Sequence, residues 1–390
     1  MQIPFRSSEG TTLGVEMELE VVDGTTRELH GAASELLAAM GRGRPDGVHP
    51  KAKHELLEST VEIITGICST VAEARADLQA TLDELRAETD RRGLELLCAG
   101  SHPFSRWDEQ RISPDPRYHR LVEEMQWPAR RLQIFGIHVH VGVRSGERAV
   151  AIANALTAYI PHFLAVSASS PFWLGADTGL ASARSKVFEG LPTAGIPHQL
   201  ADWGEFEAFM STLVSARAIS SIREVWWDIR PHPDFGTVEL RICDGTPTMS
   251  ELAAVAAMSH SLVEWMNGVY DREGRLPAAR DWIVRANKWR AARHGVDAEI
   301  IVDDEGHLVP LREAVGDLVG RLRPVAARLG CEAELGHLLP MVERPSYSRQ
   351  REVVAGGGDL VDVVDSLVGE LRTDRAWSPP ARCAGPGGVS

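Results

Sequence analysis

Three stretches of the chain carry residues whose type and spacing could do chemistry. In Thr12–Val22 (TLGVEMELEVV), Glu16, Glu18 and Glu20 alternate with Val15, Met17, Leu19 and Val21. A period of two marks a strand, so the carboxylates share one face in steps of about 7 Å. A solvated edge gives the same pattern; the functional alternative is a rack for a hard divalent cation, which takes oxygen ligands. In Gln133–Val143 (QIFGIHVHVGV), His138 and His140 point to one strand face and Ile137, Val139 and Val141 to the other. Either imidazole alone reads as a satisfied core histidine, but the pair reads as a site, and an H-x-H can also hold zinc. The third stretch pairs Asp228 with Arg230 and, shortly after, Glu239 with Arg241. These could form a cross-strand salt-bridge ladder. Alternatively Glu239 serves a metal and the arginines grip anionic oxygens, whose geometry the guanidinium fork matches. Lysine occurs only at positions 51, 53, 186 and 288, so arginine supplies nearly all the positive charge.

Positioning these residues requires strands with a common inner face. Besides the acidic and histidine strands, Ser59–Thr65 (STVEIIT) places Glu62 among β-branched residues, and Leu94–Ala99 reads as a buried strand. Val225–Arg230 and Gly236–Cys243 are joined by Pro231-His232-Pro233-Asp234, which predicts a hairpin and hence an antiparallel pair. Val71, Leu78, Leu82 and Leu85 mark a charged helix ending near Gly93, and Ile152, Leu156, Tyr159, Ile160 and Phe163 mark an amphipathic one. Ser169–Pro197 is a loop rich in Gly and Ser; from Thr248 the pattern is helical over Met249–Tyr270, Ala278–His294, Leu311–Leu329 and Leu360–Leu371. Strands and helices mix early, helices dominate late, and no regular βαβ alternation occurs. That predicts an α+β fold with an antiparallel sheet. Residues 1–375 read as one catalytic domain and 376–390, rich in Pro and Gly, as a flexible tail.

Composition narrows the function. Lys and Arg total 41 against 55 Asp and Glu, a difference of 41 − 55 = −14. An acid surplus argues against nucleic acid or an anionic membrane as the partner. No run of 18 uninterrupted apolar residues occurs, which argues against a membrane span. Five scattered cysteines without a C-x-x-C pair suit a reducing cytoplasm. No P-loop, dinucleotide fingerprint or G-x-S-x-G elbow is present. Ala355-Gly356-Gly357-Gly358 is glycine-rich, but it precedes a helix late in the chain.

Taken in order, GVEMELE (14–20), STVEIITG (59–66), GSHPF (100–104) and GIHVHVGV (136–143) resemble the type 2 glutamate–cysteine ligases, or carboxylate–amine ligase family. The resemblance continues through SASSPFWLGADTGLASAR (167–184), WWDIRPHPDFGTVELRICD (226–244), NKWRAARHG (287–295) and SRQR (348–351). It implies a glutamine-synthetase-like fold, a curved antiparallel funnel with helices outside, that binds ATP and Mg²⁺ or Mn²⁺. By motif, Glu16, Glu18, Glu62, His138 and Glu239 match metal ligands, with His138 also near the nucleotide. Arg241 matches the arginine facing the transferred phosphoryl group. Arg184, Asp228, Arg230, Glu55 and His140 fall where phosphate or the acid substrate is held. The implied reaction forms an acyl phosphate from a carboxylate, glutamate's γ-carboxylate in the family's named activity, and passes it to an amine such as that of cysteine. Ser169–Pro197 is a candidate lid with Gly175, Gly179 and Gly190 as hinges.

The chain departs from the family pattern at Met17, where an acidic residue is expected, and at Phe135, where cysteine is common. Met17 points to the apolar face, so the rack is unaffected. The competing readings are a zinc hydrolase built on His138 and His140, a guanidino-type phosphotransferase, and a non-enzymatic acid-binding module. Small amino-acid and amine substrates are the expected partners, and a homodimer is the base-rate expectation for a soluble enzyme.

Overall fold

The computed structural model describes residues 2–379. Its strands are β1 (Leu13–Asp23), β2 (Ala52–His54), β3 (Thr60–Ile64), β4 (Leu94–Leu97), β5 (Ile137–Gly142), β6 (Phe172–Trp173), β7 (Ala176–Asp177), β8 (Ile229–His232), β9 (Thr237–Leu240), β10 (Glu299–Ile301) and β11 (Leu308–Pro310). Seven of them form one antiparallel sheet in the order β2-β3-β1-β5-β9-β8, with β4 paired to the far end of β1. The pairs β6–β7 and β10–β11 are separate small hairpins. The α+β class with a mainly antiparallel sheet is thus the architecture observed.

The period of two in β1 has a direct structural meaning. Val15, Met17, Leu19 and Val21 are at most 1% exposed and join Ile63, Val139, Leu240 and the long helices Val71–Asp90 and Met249–Glu273 in the main core. Covering that face with helices commits the opposite face of β1, β3, β5, β8 and β9 to the cavity. Glycine permits the tight β8–β9 turn: Gly236 has φ +66°, and a Cβ there would lie 1.5 Å from the Arg6 carbonyl oxygen.

Several elements differ from expectation. The amphipathic helix is broken into Gly146–Leu156 and Ile160–Ser167, with a 3₁₀ turn at Thr157–Tyr159 and Pro161 in the first turn of the second piece. By length and composition Gly146–Ser167 could cross a bilayer, with a mean hydropathy of 1.6, but 78% of that stretch is buried within the fold. Ser169–Pro197 holds β6, β7 and the helix Ala183–Phe188, and helices at Pro116–Met125, Trp203–Ser215 and Ser346–Ala355 are additional. Cys68, Cys98, Cys243 and Cys331 are free and buried; Cys383 lies outside the described residues. Of the segment 376–390 read as a tail, Trp377 packs on the helix Leu360–Thr373 and its N–H donates to Glu370 at 2.6 Å, while residues 380–390 lie outside the described residues.

Candidate active site

Register, rather than sequence proximity, assembles the site. Glu18 lies opposite Glu62 across β1–β3, Glu16 opposite His138 across β1–β5, His140 opposite Glu239 across β5–β9, and Arg230 opposite Glu239 across β8–β9. Four cross-strand pairs therefore place carboxylates, imidazoles and a guanidinium side by side on the inner face. They line a cavity of about 490 Å³ together with Glu55, Arg184 and Arg241. Ten of the eleven residues that the family resemblance assigns to the site meet here.

The exception is Asp228. It does not line the cavity; it is buried on the other side of its segment and its Oδ2 takes a 2.6 Å hydrogen bond from Lys288, which also reaches Glu189 at 2.7 Å. The physical reason is that regular pairing with β9 begins only at Ile229. Two residues earlier Trp227 bridges to Gly195, and the Asp228 N–H donates to the Gly195 carbonyl at 2.7 Å, so although the Asp228 carbonyl still accepts from the Arg241 N–H at 2.8 Å, this segment turns toward residue 195 and the side-chain alternation does not carry Asp228 into the cavity. Glu20 is a second departure. It continues the acidic face of β1, but it sits against β4 with 0% exposure and neither carboxylate oxygen has a hydrogen-bond partner. Burial raises its pKa well above the usual range, which makes it a neutral acid.

Arg230 lines the cavity but is fully engaged. Its Nε and Nη2 grip Glu239 Oε2 at 2.8 and 2.7 Å, and its Nη1 donates to the carbonyls of Ile222 and Val225, both at 2.9 Å. Arg241 donates from Nη1 to Glu239 Oε1. Burial opposes the Glu239 charge, but Arg230 and Arg241 hold its pKa well below the ordinary carboxylate range. Two arginine Nε groups remain free. Those of Arg241 and Arg184 are buried without a partner, although Arg184 spends its Nη atoms on the carbonyls of Arg241 and Ile242 at 3.3 Å. Arg184 is held from behind by a knot around Asp244, which accepts from the Ser169 N–H and the Ser170 and Ser182 hydroxyls at 3.0, 2.7 and 2.8 Å. Gly136 makes room for it: a Cβ there would lie 2.3 Å from Arg184 Nη2.

The carboxylate side behaves differently. Burial raises Glu18, and Glu55 raises it further, to about 8; burial, Glu16 and Glu55 raise Glu62 well above the usual range. Lys53 is the one lysine on this wall, 2.9 Å from Glu62. Burial also opposes the charge on Glu16, but hydrogen bonds to His138 and His140 hold its pKa well below the usual range. Burial, with Arg241, lowers His138 to about 4, so the ring is neutral. Its Nδ1, 3.0 Å from an ionised Glu16 oxygen, must donate, which leaves the Nε2 lone pair open. His140 Nδ1 meets Thr237 Oγ1 at 3.0 Å, while its buried Nε2 lies between Glu16 at 3.5 Å and Glu239 at 3.7 Å.

This donor set fits divalent cations. Ligand atoms of Glu16, Glu62 and His138 lie within 4.8 Å of one another, as do those of Glu16, His140 and Glu239. Neutral imidazoles oriented by a partner on Nδ1, next to carboxylates that repel one another, are what oxygen-rich sites for Mg²⁺ or Mn²⁺ provide. A zinc site built on the two histidines would share Glu16, which both rings contact, so it would draw on this same donor set.

The sequence reading missed several wall residues. Phe235 is 58% exposed at the β8–β9 turn and stacks on His232 at 4.2 Å. Tyr118 and Arg117 come from the helix Pro116–Met125, and Phe188 and Leu191 from the segment 169–197. None belongs to a periodic strand. The β6–β7 hairpin of the candidate lid lies away from the cavity, with Asp177 paired to Arg351 at 2.7 Å.

A curved antiparallel sheet whose inner face sets carboxylates and imidazoles against arginines belongs to the ATP-dependent carboxylate–amine ligases, and this chain is one of that class. A family model described as glutamate-cysteine ligase family 2 matches residues 12–365, and the chain belongs to that family. A Frankia casuarinae protein provisionally named glutamate–cysteine ligase 2-1 is 56% identical over 96% of this chain and 99% of its own length. A Thermobifida fusca protein provisionally named glutamate–cysteine ligase 2 is 49% identical over 99% of both. Among solved structures, glutamate–cysteine ligase from Francisella tularensis in complex with AMP shares the fold, with a TM-score of 0.67 at 12% identity, covering 97% of this chain and 91% of that one.

Proposed function

We propose that the protein activates the γ-carboxylate of glutamate with ATP and transfers the acyl group to an amine, such as that of cysteine. The observation that carries this reading is the polarity of the cavity. Carboxylates and imidazoles converge from β1, β3 and β5, and the free, buried Nε groups of Arg241 and Arg184 wait nearby for an anion. In this reading Glu16, Glu62 and His138 hold one Mg²⁺ or Mn²⁺, Glu16, His140 and Glu239 hold a second, and Glu18 and Glu55 flank the first. Such cations, when bound, withdraw charge from phosphate oxygens.

The chain's own groups supply the rest. Arg230 fixes Glu239, and Glu239 orients Arg241, so that Arg241 meets the phosphoryl group in transit with its geometry already set. Arg184 supports the same anion from the helix Ala183–Phe188. A substrate carboxylate oxygen attacks the γ-phosphorus, the bond to the β–γ bridging oxygen breaks, and ADP leaves an acyl phosphate. The amine nitrogen then attacks the acyl carbon, the C–O bond to phosphate breaks, and an amide and inorganic phosphate result once the amine has lost its proton. Phe188, Leu191 and Phe235 keep water from the acyl phosphate while it waits. Every residue in this scheme comes from one chain.

The test is direct. Purified protein is incubated with ATP, Mg²⁺, glutamate and a panel of amines including cysteine, and phosphate release is followed together with product mass. One amide formed per phosphate released is the expected result. ATP consumption without an amide from any amine would overturn the proposal.

A further inference from the structure

Exposure rises along one line out of the central cavity. Glu239 is 1% exposed, His232 and His140 are 4% and 6% exposed, and Phe235, in the β8–β9 turn, is 58% exposed. The line starts at the second candidate cation position, where His140 Nε2 lies between Glu16 and Glu239. It ends on an aromatic ring at the mouth. A single apolar side chain on a surface needs no explanation of its own. Phe235 differs in how firmly it is held.

One face of the Phe235 ring lies on His232, with centroids 4.2 Å apart and an interplanar angle of 10°. Its edge contact with His140 has centroids 5.5 Å apart at 72°, and His140 meets His232 at 5.8 Å and 62°. The three rings therefore pack as one unit, anchored through His140 Nδ1 to Thr237 Oγ1. The backbone beneath is equally fixed. Pro231 and Pro233 restrict φ on either side of His232. The Gly236 N–H donates to the His232 carbonyl at 2.9 Å, the Val143 N–H to the Gly236 carbonyl at 2.9 Å, and the Arg6 N–H to the Pro233 carbonyl at 3.0 Å. A ring held this way loses little freedom when a flat group settles on its open face.

The cavity fixes what that group is. Phosphates gathered at Glu16, His140 and Glu239 leave the nucleoside end of the nucleotide pointing outward, because the inner end of the line is closed by buried side chains. The next group met on the way to solvent is Phe235. Resting on the function proposed above, we infer that the open face of Phe235, backed by His232, is the stacking platform for the base of the nucleotide. The base is recognised there through its π-face and apolar area, which a phenyl ring complements without any charge. With a base seated, stacked rings cover the mouth on the His140 side. Nucleotide binding thereby contributes to the exclusion of water that the acyl phosphate requires.

Isothermal titration of the full chain with ADP and Mg²⁺ tests this, with tripolyphosphate and Mg²⁺ as the counterpart that has phosphates and no base. Phe235→Ala is expected to weaken ADP by about tenfold and to leave tripolyphosphate within about twofold. Phe235→Trp keeps a stacking face and should hold ADP within about threefold of the parent. No ADP binding by the parent, ADP binding unchanged in Phe235→Ala, equal losses of ADP and tripolyphosphate, or Phe235→Trp as weak as Phe235→Ala would each overturn the inference. Neither acid nor amine is present, so the result is independent of amide formation. Amide formed by a parent that fails these binding criteria removes the platform alone; ADP held on the platform with no amide from any amine removes the reaction alone.

Discussion

Glu239 and Glu62 face the same cavity, 1% and 3% exposed, and yet they end in opposite states. Glu239 is clasped by Arg230 and Arg241 and stays ionised far below the usual pKa. Glu62 has only Lys53, half exposed, against Glu16 and Glu55, and its pKa rises well above the usual range. Burial penalises both equally; the neighbours decide. The arginine side arrives with its charges already balanced, and balanced charge holds geometry. The carboxylate side lacks such counter-charge, so Glu18 and Glu62 favour their protonated forms, and a cation bound in use would displace those protons.

The contrast can be broken most forcefully at its arginine side. Glu239→Gln is expected to cut turnover by about 10²–10³. It should also cost about 3 kcal/mol of unfolding free energy, because Arg230 stays buried without its counter-charge; steady-state kinetics and a denaturant titration measure the two. Arg241→Lys should lower kcat by roughly 10², because a point charge cannot hold Glu239 and an anion together; kcat restored to the parent value would remove Arg241 from the reaction. On the carboxylate side, Glu62→Gln should weaken Mn²⁺ binding by about tenfold or more. The same change relieves like-charge repulsion, so the metal-free protein should unfold at the same or a higher temperature. Destabilisation equal to that of Glu239→Gln would erase the distinction between the two sides.

Asp228 sharpens the comparison from outside the cavity. Asp228→Asn should cost about 2 kcal/mol, less than a full buried-pair loss because Glu189 still meets Lys288. Michaelis constants for ATP and glutamate should stay within about twofold; a tenfold rise in either would return Asp228 to the site. The gentlest test is pH. Burial lowers His102 to about 3 and His162 to about 4, against an unfolded value near 6.5. Below about 6.5 the unfolded chain takes up protons that the folded one refuses. Stability is thus fully present above about 6.5 and is lost as pH falls toward 4, by up to about 1.4 kcal/mol per pH unit per histidine. Because the raised carboxyls of Glu18, Glu20 and Glu62 give the opposite slope, the check is the difference between the parent and His102→Gln or His162→Gln; a difference that stays constant between pH 6.5 and 4 would contradict the neutral, buried assignment of that ring.

Legibility followed regularity. Glu16, Glu18, His138 and His140 were readable because β1 and β5 alternate strictly, with one face in the core. The register that sets Glu16 against His138 and Glu18 against Glu62 was not, since pairing depends on residues far apart in the chain. Alternation misled at both ends of its range. At Asp228 regular pairing has not begun, and at Glu20 the strand turns its acid under β4. Phe188, Tyr118, His232 and Phe235 come from turns, short helices or a strand end, where no period exists to reveal which way a side chain faces. The helix interrupted at Thr157–Tyr159 hid for the same reason: its apolar spacing runs through the break.

The position of β1 at the middle of the sheet has a consequence for how the protein is made. β1 is synthesised before the other strands of this sheet; its neighbours β3, β4 and β5 come from residues 60–142, while β9 and β8, which carry Glu239 and Arg230, come from residues 229–240. Contacts this distant in sequence form slowly, because loop closure precedes their reward. The acid-bearing strand must therefore wait for more than half of the chain before its inner face is closed by the arginines, which makes the growing polypeptide most vulnerable to mispairing between residues 142 and 229.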